Sequence, residues 1–211
     1  MKITTVFFDL DDTLYPPQVG LWHAIKERMN LYMREHMDIP QEEIPALREK
    51  YFMQYGTTLR GLQAHHNINT EDFLAFVHDL PLDTYLTYDP LQREVIAALP
   101  TRNVIFTNAD APHARRVLTR LQLLDLFPTI VDLHTVAPYC KPMPESFTIA
   151  MQLAGETDPS RCVMIDDIYR TTQAARTAGL RTILAGENFS PEYADAQLTH
   201  WQDLPAILER L

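Results

Sequence analysis

Five short apolar runs, set between stretches of helical periodicity, constrain this chain more than any other feature. They are Ile3 to Phe8, Asn103 to Phe106, Thr129 to Leu133, Cys162 to Ile165 and Arg181 to Leu184. Runs of this length, rich in β-branched and aromatic residues and without strict polar alternation, read as strands buried on both faces. Strands alternating with helices imply a parallel sheet covered on both sides, so the expected fold class is α/β with a doubly wound parallel sheet. Asp89-Pro90 supplies an N-cap and a proline at the first helical position for a helix through Leu91, Val95, Ile96 and Leu99. Ala174, Ala175 and Ala178 followed by Gly179 read as a packed helix ended by a glycine cap.

The stretch between the first two runs follows another rhythm. Pro16-Pro17 ends extended structure, after which Trp22, Ile25, Met29, Tyr32, Met33 and His36 recur at helical spacing. Further helical patterns run from about Gln41 to Tyr55, around Arg60 to His65, and from Thr70 to His78. This predicts a helical insertion at 16–89 in a core made of 1–15 and 90–211. With 211 residues, 46% of them hydrophobic, the chain has enough apolar content for such a core and a smaller inserted domain.

Composition narrows the classes of function. Eighteen Lys and Arg against 28 Asp and Glu give a formal net charge of −10, which disfavours general affinity for nucleic acid or an anionic membrane surface. No stretch is apolar enough to span a bilayer, and Met1-Lys2 leads straight into the first strand without room for a signal peptide. The expected compartment is the cytoplasm. Cys140 and Cys162 are too few for a disulfide framework and lack zinc-ligand spacing. Nothing marks a self-complementary surface, so a monomer and a homodimer both fit.

Chemistry enters where the apolar runs end. Asp9-Leu10-Asp11-Asp12-Thr13 follows the first run, placing Asp9 at the carboxyl edge of the sheet, where open α/β sheets bind ligands. A carboxylate there can attack phosphorus to form an aspartyl phosphate, and a second one two residues on can protonate the leaving oxygen. Like charges this close call for a divalent cation. A calcium loop starting at Asp9 would need Gly at its sixth position and Glu at its twelfth, where this chain has Leu14 and Gly20. A helix cap needs one Asp rather than three.

Three further segments reach the same edge. Thr107-Asn108 offers a hydroxyl and an amide for a phosphate oxygen, or else a polar turn before a helix. Lys141, followed by Pro142 and Pro144, is either a solvated lysine or a fixed cation that neutralises a phosphate and Asp9. Asp166-Asp167 ends another apolar run. With Asp9 and the backbone carbonyl of Asp11, these acids would complete an oxygen-rich shell suited to Mg²⁺, or would cap the next helix, one of them doing both.

Taken in order, Asp9-Leu10-Asp11-Asp12-Thr13, Thr107-Asn108, Lys141-Pro142 and Asp166-Asp167 resemble the four motifs of the haloacid dehalogenase superfamily of phosphotransferases. The resemblance covers essentially the whole chain. It implies Asp9 as nucleophile, Asp11 as general acid and then base, Thr107 and Lys141 as phosphate binders, Asp166 and Asp167 as the Mg²⁺ site, and the insertion as a helical cap. Related phosphatases commonly follow the paired acids with Ser and then Asn, where this chain has Ile168 and Thr171 or Thr172, which points to altered contacts around the metal.

Within the insertion, Tyr55-Gly56-Thr57-Thr58-Leu59-Arg60-Gly61-Leu62, with Asn108-Ala109 and Cys140-Lys141-Pro142 downstream, resembles the yeast-type pyrimidine 5′-nucleotidases of that superfamily. The resemblance implies hydrolysis of UMP or CMP, with Thr58, Arg60 and Asn108 as substrate contacts. The two glycines would let backbone approach a ligand, or the segment is a helix start with a solvated arginine. His23, His65 and His66 have no metal pattern, and Trp22 and Tyr55 fit a core role or stacking on a base. The rivals are a phosphatase of another small metabolite such as a sugar phosphate or pyridoxal phosphate, a phosphomutase, and a module that only binds a phosphorylated ligand. A dehalogenase, which attacks carbon, has no need of Asp11.

Overall fold

The computed structural model describes residues 2–187 and 189–211. They form two compact units, one of residues 1–17 and 86–211 and the other of 18–85. The first unit is an α/β fold built on strands β1 (Thr5–Phe8), β2 (Arg102–Phe106), β3 (Thr129–Val131), β4 (Cys162–Asp166), β5 (Arg181–Ala185) and β6 (Ala196–Leu198). They make one six-stranded sheet in the order β3-β2-β1-β4-β5-β6, and the pairings are all parallel. The chain moves outward from β1 in one direction and then returns to lay β4 on its other side, which makes the β1/β4 boundary the place where a crevice opens at the strands' carboxyl ends.

The core explains why these runs become strands. Thr5, Val6, Phe7 and Phe8 of β1 are all fully buried, as a strand covered on both faces must be. Successive side chains point to opposite faces, so Phe7 and Phe8 serve separate cores. Phe7 meets Phe106 edge-on at 6.2 Å, and Phe106 meets Phe147 of α7 (Pro144–Leu153) at 5.6 Å. Phe8 meets Phe127 at 5.3 Å on the other face. Each such ring contributes about 1.5–3 kcal/mol by leaving water.

The helices of this unit begin and end on local chemistry. Asp89 accepts hydrogen bonds from the Leu91 and Gln92 amides at 2.9 and 3.3 Å, and Pro90 occupies the first position of α5 (Pro90–Ala98). The start of α6 (Ala111–Arg120) is held from outside its own segment, since Ala111 N donates to Asp132 Oδ2 at 2.9 Å. Gly179, at φ 92°, ends α8 (Tyr169–Thr177), with Leu180 N donating back to Ala175 O at 3.0 Å. A last helix, α9, spans Leu204–Arg210.

Among its described residues the second unit has helices and no strand: α1 (Leu21–Met37), α2 (Ile44–Tyr55), α3 (Thr58–His65) and α4 (Thr70–His78). Helix α1 packs on α4, and α2 packs on α3. Tyr32 of α1 sits edge-on to Phe73 and Phe76 of α4 at 5.1 and 5.4 Å and donates its hydroxyl to Asp72 Oδ2 at 2.9 Å. Burial, then the bond to Asp72, pushes its phenol up to about 12. Trp22 is half-buried on α1, and His23 is exposed.

Gly61 lies against the Tyr51 ring: a Cβ built there would be 2.1 Å from Tyr51 Cγ. The sequence suggests that this glycine admits a ligand, but the space is already filled by this chain, and Gly61 instead lets α2 and α3 approach. Gly56, at φ 83°, is the cap that ends α2. No helix of the described residues is long and apolar enough to cross a membrane.

Candidate active site

Strand register brings the acids together. Phe8 pairs with Ile165 and the ladder continues as Asp9 N donates to Ile165 O at 2.9 Å, so Asp9 and Asp166 stand side by side at the carboxyl ends of adjacent strands. Lys141 Nζ bridges them, 2.7 Å from Asp9 Oδ1 and 2.6 Å from Asp166 Oδ2. The lysine is only 3% exposed, and its ammonium lies 5.3 Å from the Phe106 ring centre. Asp166 has two roles, because its other oxygen accepts the Ile168 amide at 2.9 Å and shapes the turn into α8.

Asn108 holds the lysine in place. Its Oδ1 accepts from Lys141 N and its Nδ2 donates to Lys141 O, both at 2.9 Å. The side chain that the sequence offers as a substrate contact is thus observed as a brace for the backbone of Lys141. Thr107, 1% exposed, continues the sheet by donating its amide to Val131 O at 2.9 Å, and its hydroxyl oxygen accepts from Ala109 N at 3.0 Å.

Asp9, Asp166 and Asp167 each offer an oxygen within 4.8 Å of the others. Three carboxylates and one ammonium leave an excess of negative charge that a dication would balance, and an all-oxygen donor set suits Mg²⁺. Electrostatics agree with that fit. Burial pushes Asp9 up to about 7, against the pull of Lys141 and with the push of Asp166. Burial, then the charges of Asp166 and Asp9, pushes Asp167 up to about 9. Burial alone would lower Lys141, but Asp166 and Asp9 outweigh it and hold the ammonium charged. Thr13 Oγ1 lies 3.4 Å from both Asp9 Oδ2 and Asp167 Oδ1, linking two of the acids.

Asp11 is held apart from this cluster. Tyr15 donates its hydroxyl to Asp11 Oδ1 at 2.6 Å, and His113 Nε2 lies 2.9 Å from the same oxygen. Burial, then the charge of Asp11, pushes the Tyr15 phenol well above its ordinary value, so it remains a donor. Asp12, between the two regions, takes a left-handed conformation with φ 58° that turns the chain sharply after Asp11.

Other expected positions belong to the helical unit or have partners of their own. Thr58 and Arg60 are on α3 of the helical unit: Thr58 is buried, and Arg60 Nη1 donates to Gln63 Oε1 at 2.9 Å. Thr57, rather than Thr58, caps the helix by accepting Arg60 N at 3.1 Å. Tyr55 and His65 are bonded to each other at 2.6 Å, and Tyr51 and His66 at 3.0 Å. Thr172, one of the two threonines at the stretch where the resemblance implies Asn, donates toward Tyr169 O and Tyr193 O. Sequence reasoning missed Thr13, Tyr15 and His113 as parts of the site. Thr13 and Tyr15 had a signal, lying two and four residues beyond Asp11, while His113 had none beyond its place in the helix after Thr107-Asn108.

A relative from Saccharomyces cerevisiae, Phosphate metabolism protein 8, is 27% identical over 192 residues, covering 84% of this chain and 60% of its own length. This chain therefore spans about 60% of the length of that relative. Glyceraldehyde 3-phosphate phosphatase from Pyrococcus furiosus is 26% identical over 230 residues, covering 99% of this chain and 94% of its own. Among solved structures, CbbY from Rhodobacter sphaeroides in complex with phosphate superposes with a TM-score of 0.70 at 20% identity, covering 96% of each chain. The profile of one hydrolase family matches residues 3–179, from the first strand to the end of α8, and by that match the chain belongs to the haloacid dehalogenase-like hydrolases.

Proposed function

We propose that this chain is a Mg²⁺-dependent phosphomonoesterase working through an aspartyl phosphate on Asp9, with pyrimidine nucleoside 5′-monophosphates as its substrates. The observation that carries this reading is Lys141 Nζ set between Asp9 and Asp166 at the β1/β4 edge. Such a lysine keeps the Asp9 carboxylate oriented and offers positive charge to a phosphoryl group arriving beside it. An oxygen of Asp9 attacks phosphorus and the bond to the ester oxygen breaks. Asp11 gives its proton to that departing oxygen, then takes a proton from water, whose oxygen attacks phosphorus and frees Asp9 and inorganic phosphate. Held by Asp9, Asp166 and Asp167, with the Asp11 carbonyl, Mg²⁺ would keep these carboxylates ionised and screen the charge of the transferring group.

The substrate part rests on the segment Tyr55 to Leu62 and its likeness to pyrimidine 5′-nucleotidases. A second reading, a phosphatase of triose or sugar phosphates, is favoured by the name of the Pyrococcus relative, which matches almost the whole chain. Release of phosphate from UMP, CMP, AMP, glyceraldehyde 3-phosphate, sugar phosphates and pyridoxal phosphate, with Mg²⁺ and with EDTA, separates the two. Metal-dependent release led by UMP and CMP is expected. Release led by a triose or sugar phosphate transfers the assignment to the second reading, and an active Asp9→Asn protein would overturn the nucleophile.

A further inference from the structure

Two side chains beside Asp11 have no place in the chemistry so far. His113 is fully buried, with a side-chain exposure of 0% against 15% for Asp11, so its ring touches the carboxylate but cannot meet a substrate in solution. Tyr15 is 4% exposed. Both approach the same oxygen, Oδ1, at 2.9 and 2.6 Å. Tyr15 donates to Oδ1, and His113 does so in the tautomer that carries its proton on Nε2; a carboxyl group gripped in this way on one oxygen has a fixed torsion, and a proton placed on Oδ1 would cost one of those bonds.

The surroundings hold these two groups still. His113 lies in the first turn of α6, whose first amide is bound by Asp132. Asp132 is itself buried and fastened by the Thr135 amide at 2.9 Å. Tyr15 follows Leu14, whose carbonyl accepts from Gln92 Nε2 at 2.7 Å inside the core. Two independent chains of contact, one from the end of β3 and one from α5, thus converge on a single oxygen.

We propose that His113, together with Tyr15, is a positioning residue for Asp11, directing the transferable proton to Oδ2 for delivery to the leaving oxygen. The inference rests on the phosphomonoesterase reading and assigns a role to a residue outside its four motifs. A buried histidine that merely supported the fold would affect all substrates alike. A positioning residue matters in proportion to how much the leaving group needs a proton.

The test compares kcat/KM for an alkyl ester, UMP, with p-nitrophenyl phosphate, whose leaving group departs without protonation. For His113→Ala, kcat/KM on UMP is expected to fall by about 10- to 100-fold, part of what acid–base assistance is worth. The fall on p-nitrophenyl phosphate should be about tenfold smaller, and His113→Gln, which retains an N–H donor, should recover much of the loss. Tyr15→Phe keeps the ring, removes only the donor, and should show the same split; it decides the matter if His113→Ala does not fold. Equal losses on both esters, or none, overturn the proposal. If a triose or sugar phosphate leads the panel above, that alkyl ester takes the place of UMP; a wild-type protein that hydrolyses neither p-nitrophenyl phosphate nor any ester of the panel overturns the phosphomonoesterase reading instead. Independently of substrate, a slowly exchanging imidazole N–H should appear in the proton–nitrogen spectrum of the wild type and vanish in His113→Gln; its absence also counts against the contact.

Discussion

Lys141 and Asp9 are 132 residues apart in sequence and 2.7 Å apart in space, as a buried ion pair at the edge of the sheet. Replacing the lysine by methionine keeps the apolar stem and removes the charge, leaving adjoining carboxylates without their cation. Breaking a buried pair from one side costs about 3–5 kcal/mol, less whatever the acids recover by protonation. Thermal melting should show a lowered Tm, and phosphate release should fall by about 10²–10³-fold. A variant of unchanged activity would remove Lys141 from the site.

The raised acids make stability depend on pH in an unusual direction. Asp9 and Asp167 ionise at about 7 and about 9 in the fold, against an ordinary 3.8. The native protein keeps protons that the unfolded chain has already lost above pH 4, so this contribution to stability is largest at low pH and fades as pH rises toward 9. In EDTA, Tm should therefore decline from pH 5 to pH 9, with a shallower slope in Asp167→Asn. Added Mg²⁺ binds the ionised carboxylates, so its stabilising effect should grow over the same range. A slope unaltered in Asp167→Asn would contradict this account.

Both thiols should be silent in the folded state. Cys140 and Cys162 are wholly buried, and burial above all pushes Cys162 up to about 12, far from the thiolate that reacts. A colorimetric thiol reagent should count none in the native protein and two after denaturation.

Gly61→Ala tests the α2–α3 contact. The new methyl would fall 2.1 Å from Tyr51 Cγ, near the root of the ring where rotation gives little relief. Overpacking of this kind costs about 1–3 kcal/mol or more. Calorimetry should register that loss, and a second substitution, Tyr51→Ala, should be milder in the Gly61→Ala background than alone.

Gln92→Leu removes the donor to the Leu14 carbonyl, a buried bond of 2.7 Å. The stranded carbonyl should cost about 1–3 kcal/mol in denaturant unfolding. An unchanged midpoint would mean that water replaces the amide.

The fold was legible where one element's pattern is decided locally. Five of the six strands announce themselves as apolar runs, and Asp89-Pro90 marks the start of α5 because a cap acts within three residues. β6 was not readable: Ala196-Gln197-Leu198 is three residues long with only Leu198 buried, and it pairs because β5 offers an edge. There Thr182 and Asp195 exchange bonds of 2.9 to 3.1 Å that no periodicity reveals. The site divides the same way. Acids at the ends of apolar runs are visible in sequence, whereas His113 meets Asp11 across 102 residues. The type of Asn108 is clear in sequence, whereas the backbone segment that it holds lies 33 residues away.

The central pairing of β1 with β4 joins Thr5 to Cys162 and Phe8 to Ile165, while β2 flanks β1 on the other side. Non-local pairing of this kind slows folding, since a long loop must close before the contact rewards it. Asp9, the nucleophile of the proposed reaction, precedes the lysine and the acid beside it by 132 and 157 residues. Catalysis therefore serves as a clock for the final stage of folding: in a refolding experiment, turnover should return later than helical signal, and with the kinetics of β1–β4 closure.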